Sequence, residues 1–279
     1  MEQNQTNQNP ENVRNRSRLR PGEHSKFTYE IRGTDTDYKD QIQMHSILSM
    51  MQEAASVSAT DYGWGAEVTD KMGTCWILLR MSVRMKKLPA WLQRITIETW
   101  SRGTDRLLFL RDFIIYDETG EKIGAGSSTW ILANKESHRP VRPSALMDMS
   151  DLPLTPSEAL TFDPPQILPA NSPEWMMTNM MSEKSRVKFA DFSEIDRNLH
   201  VNNTRYVAWC MDAAHSSSLD QPDVLGLDIN YNSEIRYGEK VILFFNERNS
   251  GELAVDGFIV DQSKIAFSAI LYRDELKHQ

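Results

Sequence analysis

The chain has 279 residues, 40% of them apolar, with 31 Lys+Arg against 39 Asp+Glu and a formal net charge of −8. That content supports buried cores, excludes global disorder, and argues against nucleic acid as a main partner, which would need a basic surface. The length fits two domains at about 150 residues each, or one large one, and two cysteines, Cys75 and Cys210, exclude a disulfide scaffold or a cysteine zinc site.

Residues 1–24 are rich in Asn, Gln and Arg and lack the apolar core of a secretory signal, so they read as a disordered tail. With no long transit peptide in view, a cytoplasmic, bacterial setting is expected rather than a plastid. No window approaches the roughly 18 consecutive apolar residues of a membrane span.

The first periodic element follows. Ile47, Met51, Ala54, Ala55 and Ser58 fall at 3.6-residue spacing, which predicts an amphipathic helix ending near Gly63. Strand-like runs come next at Trp76–Met85, Ile95–Trp100, Leu107–Tyr116 and Ile123–Ala133, with a hairpin turn at Asp117–Gly120. Eight of the twelve prolines then lie between Pro140 and Pro173, a composition that makes a semi-rigid connector and not a third core.

Beyond it the plan repeats. Tyr206, Cys210, Ala213, Ala214 and Ser217 form a second helix stripe, and Leu227–Tyr237, Val241–Glu247, Leu253–Val260 and Ile265–Tyr272 are further strand-like runs, with a turn at Asn249–Gly251. Adding 159 carries all five stripe positions of the first helix onto the second, Asp37 onto Asp196 and Ile42 onto Val201. An internal duplication explains this. The expected fold is α+β: two units packed side by side, each an antiparallel sheet wrapped around one long apolar helix. The divisions expected are 25–138, a connector at 139–182, and 183–279.

Common chemical signatures are absent: no phosphate loop, no His-Glu-x-x-His, no Gly-x-Ser-x-Gly. The six histidines show no metal-ligand spacing, so neither metal nor cofactor is expected. The densest polar cluster runs from Asp191 through Tyr206. There Asp196, Asn198 and His200 alternate with Arg197, Leu199 and Val201, and in an extended segment the acid, the amide and the imidazole would share one face. Asn202, Asn203 and Thr204 are N-cap candidates for the helix that follows. A helix N-terminus supplies unpaired N–H groups and partial positive charge, suited to a carbonyl oxygen that turns negative during acyl transfer, and the N–H groups around Val201, Asn202 and Asn203 are the expected donors. The plain alternative is that these residues only cap and turn the chain. The repeat sets Lys39 and Gln41 opposite Asn198 and His200, so the first copy lacks the polar set, as one surviving active site or ordinary drift would leave it.

Asp196-x-Asn198-x-His200-Val-Asn-Asn-x-x-Tyr206-x-x-Trp209 closely resembles the signature of fatty acyl-acyl carrier protein (acyl-ACP) thioesterases, the plant and bacterial double hotdog enzymes. Tyr29-Glu30-Ile31, Gln52-Glu53-Ala54-Ala55, Leu88-Pro-x-Trp91, Trp100 and Thr129-Trp130-x-x-x-Asn134-Lys135 also look like that family, so the resemblance runs from about Phe27 to Tyr272. It implies hydrolysis of the thioester joining a fatty acyl chain to the phosphopantetheine arm of acyl carrier protein. The family's catalytic Asp, Asn and His match Asp196, Asn198 and His200, and a further family carboxylate matches Glu234. By pattern alone Glu234 sits on the polar side of the 227–237 strand with Asn230 and Asn232 and reads as solvated.

Plant members carry a cysteine directly after that glutamate. Here the residue is Ile235, which cannot attack a thioester, so a cysteine mechanism at this position is ruled out. Cys210 lies on the apolar helix stripe and reads as packed, and Cys75 as structural. The expected chemistry is attack by water activated by Glu234 or Asp196, with His200 carrying a proton or polarising the carbonyl and Asn198 positioning water or thioester. Direct attack by Asp196 is a variant.

The implied partner, acyl carrier protein, is acidic, so docking on a chain of net charge −8 needs a local basic patch. Candidates are Arg80, Arg84, Lys86, Lys87 and Arg94, or Arg139 and Arg142, or Arg197 and Arg205. The first unit is the expected acyl-pocket side. Two alternatives stay open, an acyl-coenzyme A thioesterase of the hotdog superfamily and a non-catalytic acyl-thioester-binding protein. Acyl chain length and oligomeric state, a homodimer included, are not fixed by sequence.

Overall fold

The computed structural model describes residues 23–145, 158–160, 163–164, 167–221, 223–248 and 251–273. Nearly all of the tail expected at 1–24, much of the connector and part of the turn at 249–251 lie outside the described residues. The first unit runs through strand β1 (Ser25–Glu30), helix α1 (Met44–Asp61), short helix α2 (Ala66–Lys71) and strands β2 (Thr74–Met85), β3 (Arg94–Asp105), β4 (Leu108–Asp117) and β5 (Lys122–Asn134). After helix α3 (Pro173–Thr178) the second unit follows as β6 (Ser185–Phe189), helix α4 (Asn203–Ala214), β7 (Val224–Tyr231), β8 (Lys240–Glu247), β9 (Glu252–Ile259) and β10 (Lys264–Arg273).

Within the first unit the strand order is β1-β3-β4-β5-β2, and within the second β6-β8-β9-β10-β7. The duplication read from the helix stripe therefore extends to the whole topology. The units meet edge to edge where β2 pairs antiparallel with β7, giving one ten-stranded sheet with Ser82 opposite Asp228 at the middle of the seam. There Asp228, almost fully buried, accepts hydrogen bonds from Ser82 Oγ (2.6 Å), both terminal nitrogens of Arg84 (2.9 Å each) and the Tyr272 hydroxyl (2.7 Å).

The sheet buries one face against α1 and α4, which lie side by side in a single core. All five stripe residues of α1 are buried, as are Tyr206, Cys210, Ala213 and Ala214 of α4. Ser217 is not: α4 ends at Ala214, and Ser217 lies exposed beyond it in a serine run of modest helix propensity. On the sheet's other face the described parts of the connector act as a strap. Ala159 and Leu160 cover Trp100 and Ala125, and Met176 of α3 packs on Ile242, Phe244 and Phe258. Buried Asp112 ties the strap down by accepting the backbone N–H groups of Glu158 (3.1 Å) and Ala159 (3.3 Å).

Six of the eight expected strands form close to their expected bounds, and the run at Ile95–Trp100 is the first half of β3, which continues to Asp105. The run at 227–237 stops at Tyr231, because Asn232 and Ser233 both turn their N–H groups onto the Ala266 carbonyl and lead the chain off the ladder. Glu234 is therefore on a loop, not on the polar side of a strand. The described helices include none long and apolar enough to cross a membrane.

Candidate active site

The polar cluster at 191–206 is not extended. After a 3-10 turn at Phe192–Glu194, Asp196 N–H donates to His200 O (2.9 Å), Leu199 N–H donates to Asp196 O (3.0 Å), and Leu199 takes a left-handed φ of 65°. The alternation expected to align Asp196, Asn198 and His200 on one strand face is thus replaced by a tight turn. Asp196 Oδ1 accepts the Asn198 N–H (2.7 Å), an Asx turn that uses one carboxylate oxygen to shape the loop and leaves Asn198 exposed near its tip.

The turn is docked from its far side. Val201 N–H donates to Ile235 O (2.8 Å) and Ile235 N–H donates to the Tyr206 hydroxyl (3.2 Å), which brings the Asn232–Ile235 loop against the turn. The result is a pair: His200 Nε2 lies 3.0 Å from Glu234 Oε2, with side chains 21% and 40% exposed. That exposure leaves both reachable by a substrate, and a carboxylate at this distance orients the ring. Burial, with Glu234 and Asp196 nearby, pushes the Tyr206 phenol well above its ordinary range, so it stays protonated as a fixed post. Ile235 itself is fully buried in the core.

Two of the expected oxyanion donors are already engaged. Val201 N–H is held by Ile235 O, and Asn202 N–H donates to Glu194 O (2.8 Å), because both belong to the backbone ladder that anchors the turn. Asn202 instead serves as N-cap, its Oδ1 accepting from Thr204 N–H (2.9 Å). Asn203, the first residue of α4, has no acceptor for its N–H within the helix and is the donor that remains of the three.

The first unit contributes neighbours that the sequence did not reveal. Asp70 of α2 places Oδ2 3.2 Å from Arg197 Nη2 on the turn and Oδ1 2.7 Å from Lys135 Nζ. Helix α2 is six residues long and gave no periodic signal, so Asp70 could not have been selected from sequence. Cys75, at the start of β2, is half-buried near Glu234. Burial is the main cause that raises its thiol, and Lys135 opposes this only in part. Cys210 is fully buried and likewise raised, so neither sulfur is poised as a thiolate. Beside the N-terminus of α4 a cavity of about 550 Å³ opens between β1 and α1, lined by Thr28, Tyr29, Gln52, Glu53, Asn202 and Thr204 among others. Burial and then Glu53 push the Tyr29 phenol up to about 12. Among the described residues no three His, Cys, Asp or Glu side chains are placed to hold a metal ion.

Two family profiles match the chain, the acyl-ACP thioesterase N-terminal domain over residues 22–145 and the acyl-ACP thioesterase C-terminal domain over 176–268. The chain belongs to the acyl-ACP thioesterase family. An Arabidopsis thaliana chloroplastic oleoyl-acyl carrier protein thioesterase 2 is 25% identical over 238 residues, covering 77% of this chain and 62% of the relative. A Coriandrum sativum chloroplastic oleoyl-acyl carrier protein thioesterase is 25% identical over 255 residues, covering 84% and 65%. The chain thus spans less than two thirds of the length of these relatives. Among solved structures, an acyl-ACP thioesterase from Bacteroides thetaiotaomicron superposes with a TM-score of 0.78 at 20% identity, covering 90% of this chain and 98% of that one. A 12:0-ACP thioesterase from Umbellularia californica gives 0.77 at 18%, covering 90% and 97%. The fold is the double hotdog.

Proposed function

We propose that this chain hydrolyses the thioester of fatty acyl-acyl carrier protein, releasing the free fatty acid and ending chain elongation. The observation that carries this reading is the His200–Glu234 pair at 3.0 Å, present in only one of two otherwise matching turns. In this reading a water molecule attacks the thioester carbonyl while its proton passes to the pair. Asn198 and the Asn203 N–H face the reacting group, and His200 returns the proton to the departing pantetheine thiolate. A positioned base typically contributes about 10²–10⁴-fold, and one oxyanion donor about 3 kcal/mol. Asp196 is the other carboxylate at the site. If it attacked directly, an anhydride would form with loss of the pantetheine thiolate, and attack by labelled water at the aspartyl carbon during a single turnover would place the label in Asp196 and leave the acid unlabelled.

We assign the acyl-binding side to residues 25–138 and the chemistry to 183–279, with the connector at 139–182 between them. The test is thiol release from a panel of acyl carrier protein thioesters of varied acyl length. Hydrolysis of at least one, lost in His200→Ala, is the expected result. Equal or faster turnover of the matching coenzyme A thioesters would make the acyl-coenzyme A reading the better one, and no release from any thioester would leave a binding protein.

A further inference from the structure

Of the cationic residues that could receive an acidic partner, three of those between 80 and 94 already have carboxylate partners, while Lys86 among them stays exposed. Arg84 is held by Asp228, Lys87 by Asp117 (2.8 Å) and Glu121 (3.4 Å), and Arg94 by Glu30 (3.6 Å), while burial lowers the Arg80 guanidinium. A different group, scattered in sequence, is drawn together beside the catalytic turn. At the end of β5 the chain folds back on itself: Asn134 N–H donates to Arg139 O (2.9 Å) and Val141 N–H donates to Leu132 O (2.8 Å). This presents Lys135, Arg139 and Arg142 as exposed side chains. Asp70 then joins that hairpin to the catalytic turn, bonding Lys135 on one oxygen and Arg197 on the other. Its two cations, Lys135 first, hold the Asp70 carboxyl below the usual range. The carboxylate is thus a charged rivet between two basic segments.

We propose that Lys135, Arg139, Arg142 and Arg197 form the surface on which an acidic carrier protein docks, so that its thioester-bearing arm enters at the catalytic turn. The inference rests on the functional reading above. Lys135 and Arg197 share Asp70, and Arg139 and Arg142 add two exposed cations beside them, on a chain whose net charge is −8. An acidic protein is therefore repelled by the molecule as a whole and attracted at this place, which selects one approach. Among the described residues no carboxylate closes an ion pair on Arg139 or Arg142, so both can pair with a partner. The approach also leads to chemistry, because Arg197 lies between Asp196 and Asn198 on the turn that carries His200.

The test uses the whole chain with Arg139→Glu/Arg142→Glu, assayed on an acyl carrier protein thioester and on an uncharged acyl-N-acetylcysteamine thioester of the same acyl group. The double variant should lose about tenfold or more in kcat/KM on the carrier-bound substrate, through KM. It should lose most of the salt dependence that the wild type shows and keep the wild-type rate on the small thioester. An unchanged KM for the carrier-bound substrate, or an equal loss on both substrates, would overturn the surface while leaving the functional reading intact. A wild-type chain that cleaves the small thioester and ignores the carrier-bound one would overturn the functional reading, and the docking surface with it.

Discussion

The turns at 37–41 and 196–200 are the same backbone carrying different chemistry. Asp37 N–H donates to Gln41 O as Asp196 N–H does to His200 O; Asp40 and Leu199 both take left-handed φ, 58° and 65°. Ile42 N–H reaches Pro89 O as Val201 N–H reaches Ile235 O, and Gln43 N–H reaches Asp35 O as Asn202 N–H reaches Glu194 O. Those bonds align Asn198 with Lys39, His200 with Gln41 and Glu234 with Leu88. In the first copy Lys39 is tied to Asp223 (3.0 Å) and Leu88 packs on the core. The Asx turn and its docking are thus scaffold, which both copies need to start a helix. The imidazole and the carboxylate facing it are what one copy alone carries.

The largest effect expected is at that difference. His200→Ala or Glu234→Gln should lower turnover by about 10²–10⁴-fold, with the melting temperature of either variant near that of the wild type because both side chains are partly exposed. Gln41→Ala, at the matching position of the other turn, should leave turnover unchanged. Thiol-release rates at saturating substrate decide this. A His200→Ala variant that folds and keeps most of its rate would remove His200 from the chemistry.

The seam between the copies is unequal too, with the buried anion on β7, its cation and one hydroxyl partner on β2, and the second hydroxyl, of Tyr272, on β10. Asp228→Ala would strip a buried carboxylate from Ser82, Arg84 and Tyr272 at once. Removing one member of a buried pair costs about 3–5 kcal/mol, which urea denaturation would read. A loss below about 1 kcal/mol, the range of an exposed pair, would show that the seam is held by the β2–β7 ladder alone.

Much of this was legible in the sequence, for reasons of scale. The helix stripes and inner strands are long, periodic and apolar, and the repeat of 159 residues tied Asp37 to Asp196 before any contact was known. The edge strands β1 and β6 were missed because they are only six and five residues long, polar and half exposed. The extended reading of 196–200 failed because alternation cannot distinguish a strand from a turn whose fourth residue goes left-handed. Glu234 was found by family resemblance, but its loop position depends on two N–H groups competing for the Ala266 carbonyl, a contact between segments more than 30 residues apart. Asp70 was invisible because its partners are set by the packing of one unit on the other.

The strap face offers a smaller contrast. Sheet register matches Ile114 of the first unit with Asp256 of the second, both beneath the connector. Burial raises the Asp256 carboxyl to about 6, against hydrogen bonds from Ser268 and the Asn171 backbone and the more distant Arg248. The folded chain therefore holds this proton more tightly than the unfolded one, whose Asp titrates near 4. Stability from this group is complete below about pH 4 and is lost as pH rises to about 6, by on the order of 3 kcal/mol. Asp256→Asn removes the titration, so its stability relative to wild type should rise across that window. A constant difference from pH 4 to 7 would mean the carboxyl is ordinary.

The smallest expected effect returns to the two turns and asks what their shared left-handed residue costs. A Cβ in that conformation is strained by roughly 1–2 kcal/mol, and aspartate relieves part of this by bonding locally whereas leucine does not. Leu199 is 76% exposed, so its side chain has little packing to lose. Leu199→Gly should therefore stabilise the protein, by about 0.5–1 kcal/mol once the greater freedom of glycine in the unfolded chain is subtracted, and Asp40→Gly by only a few tenths. Paired denaturation curves would show the ordering. Equal effects at both sites would mean that strain is the same in the two copies and that leucine at the tip of the 196–200 turn costs no more than aspartate. A loss of stability in Leu199→Gly would instead show that the exposed leucine is held against the turn. If the expected order is found, the copy that carries His200 keeps a strained, solvent-facing leucine where the other copy has a tolerated aspartate, next to the imidazole that distinguishes them.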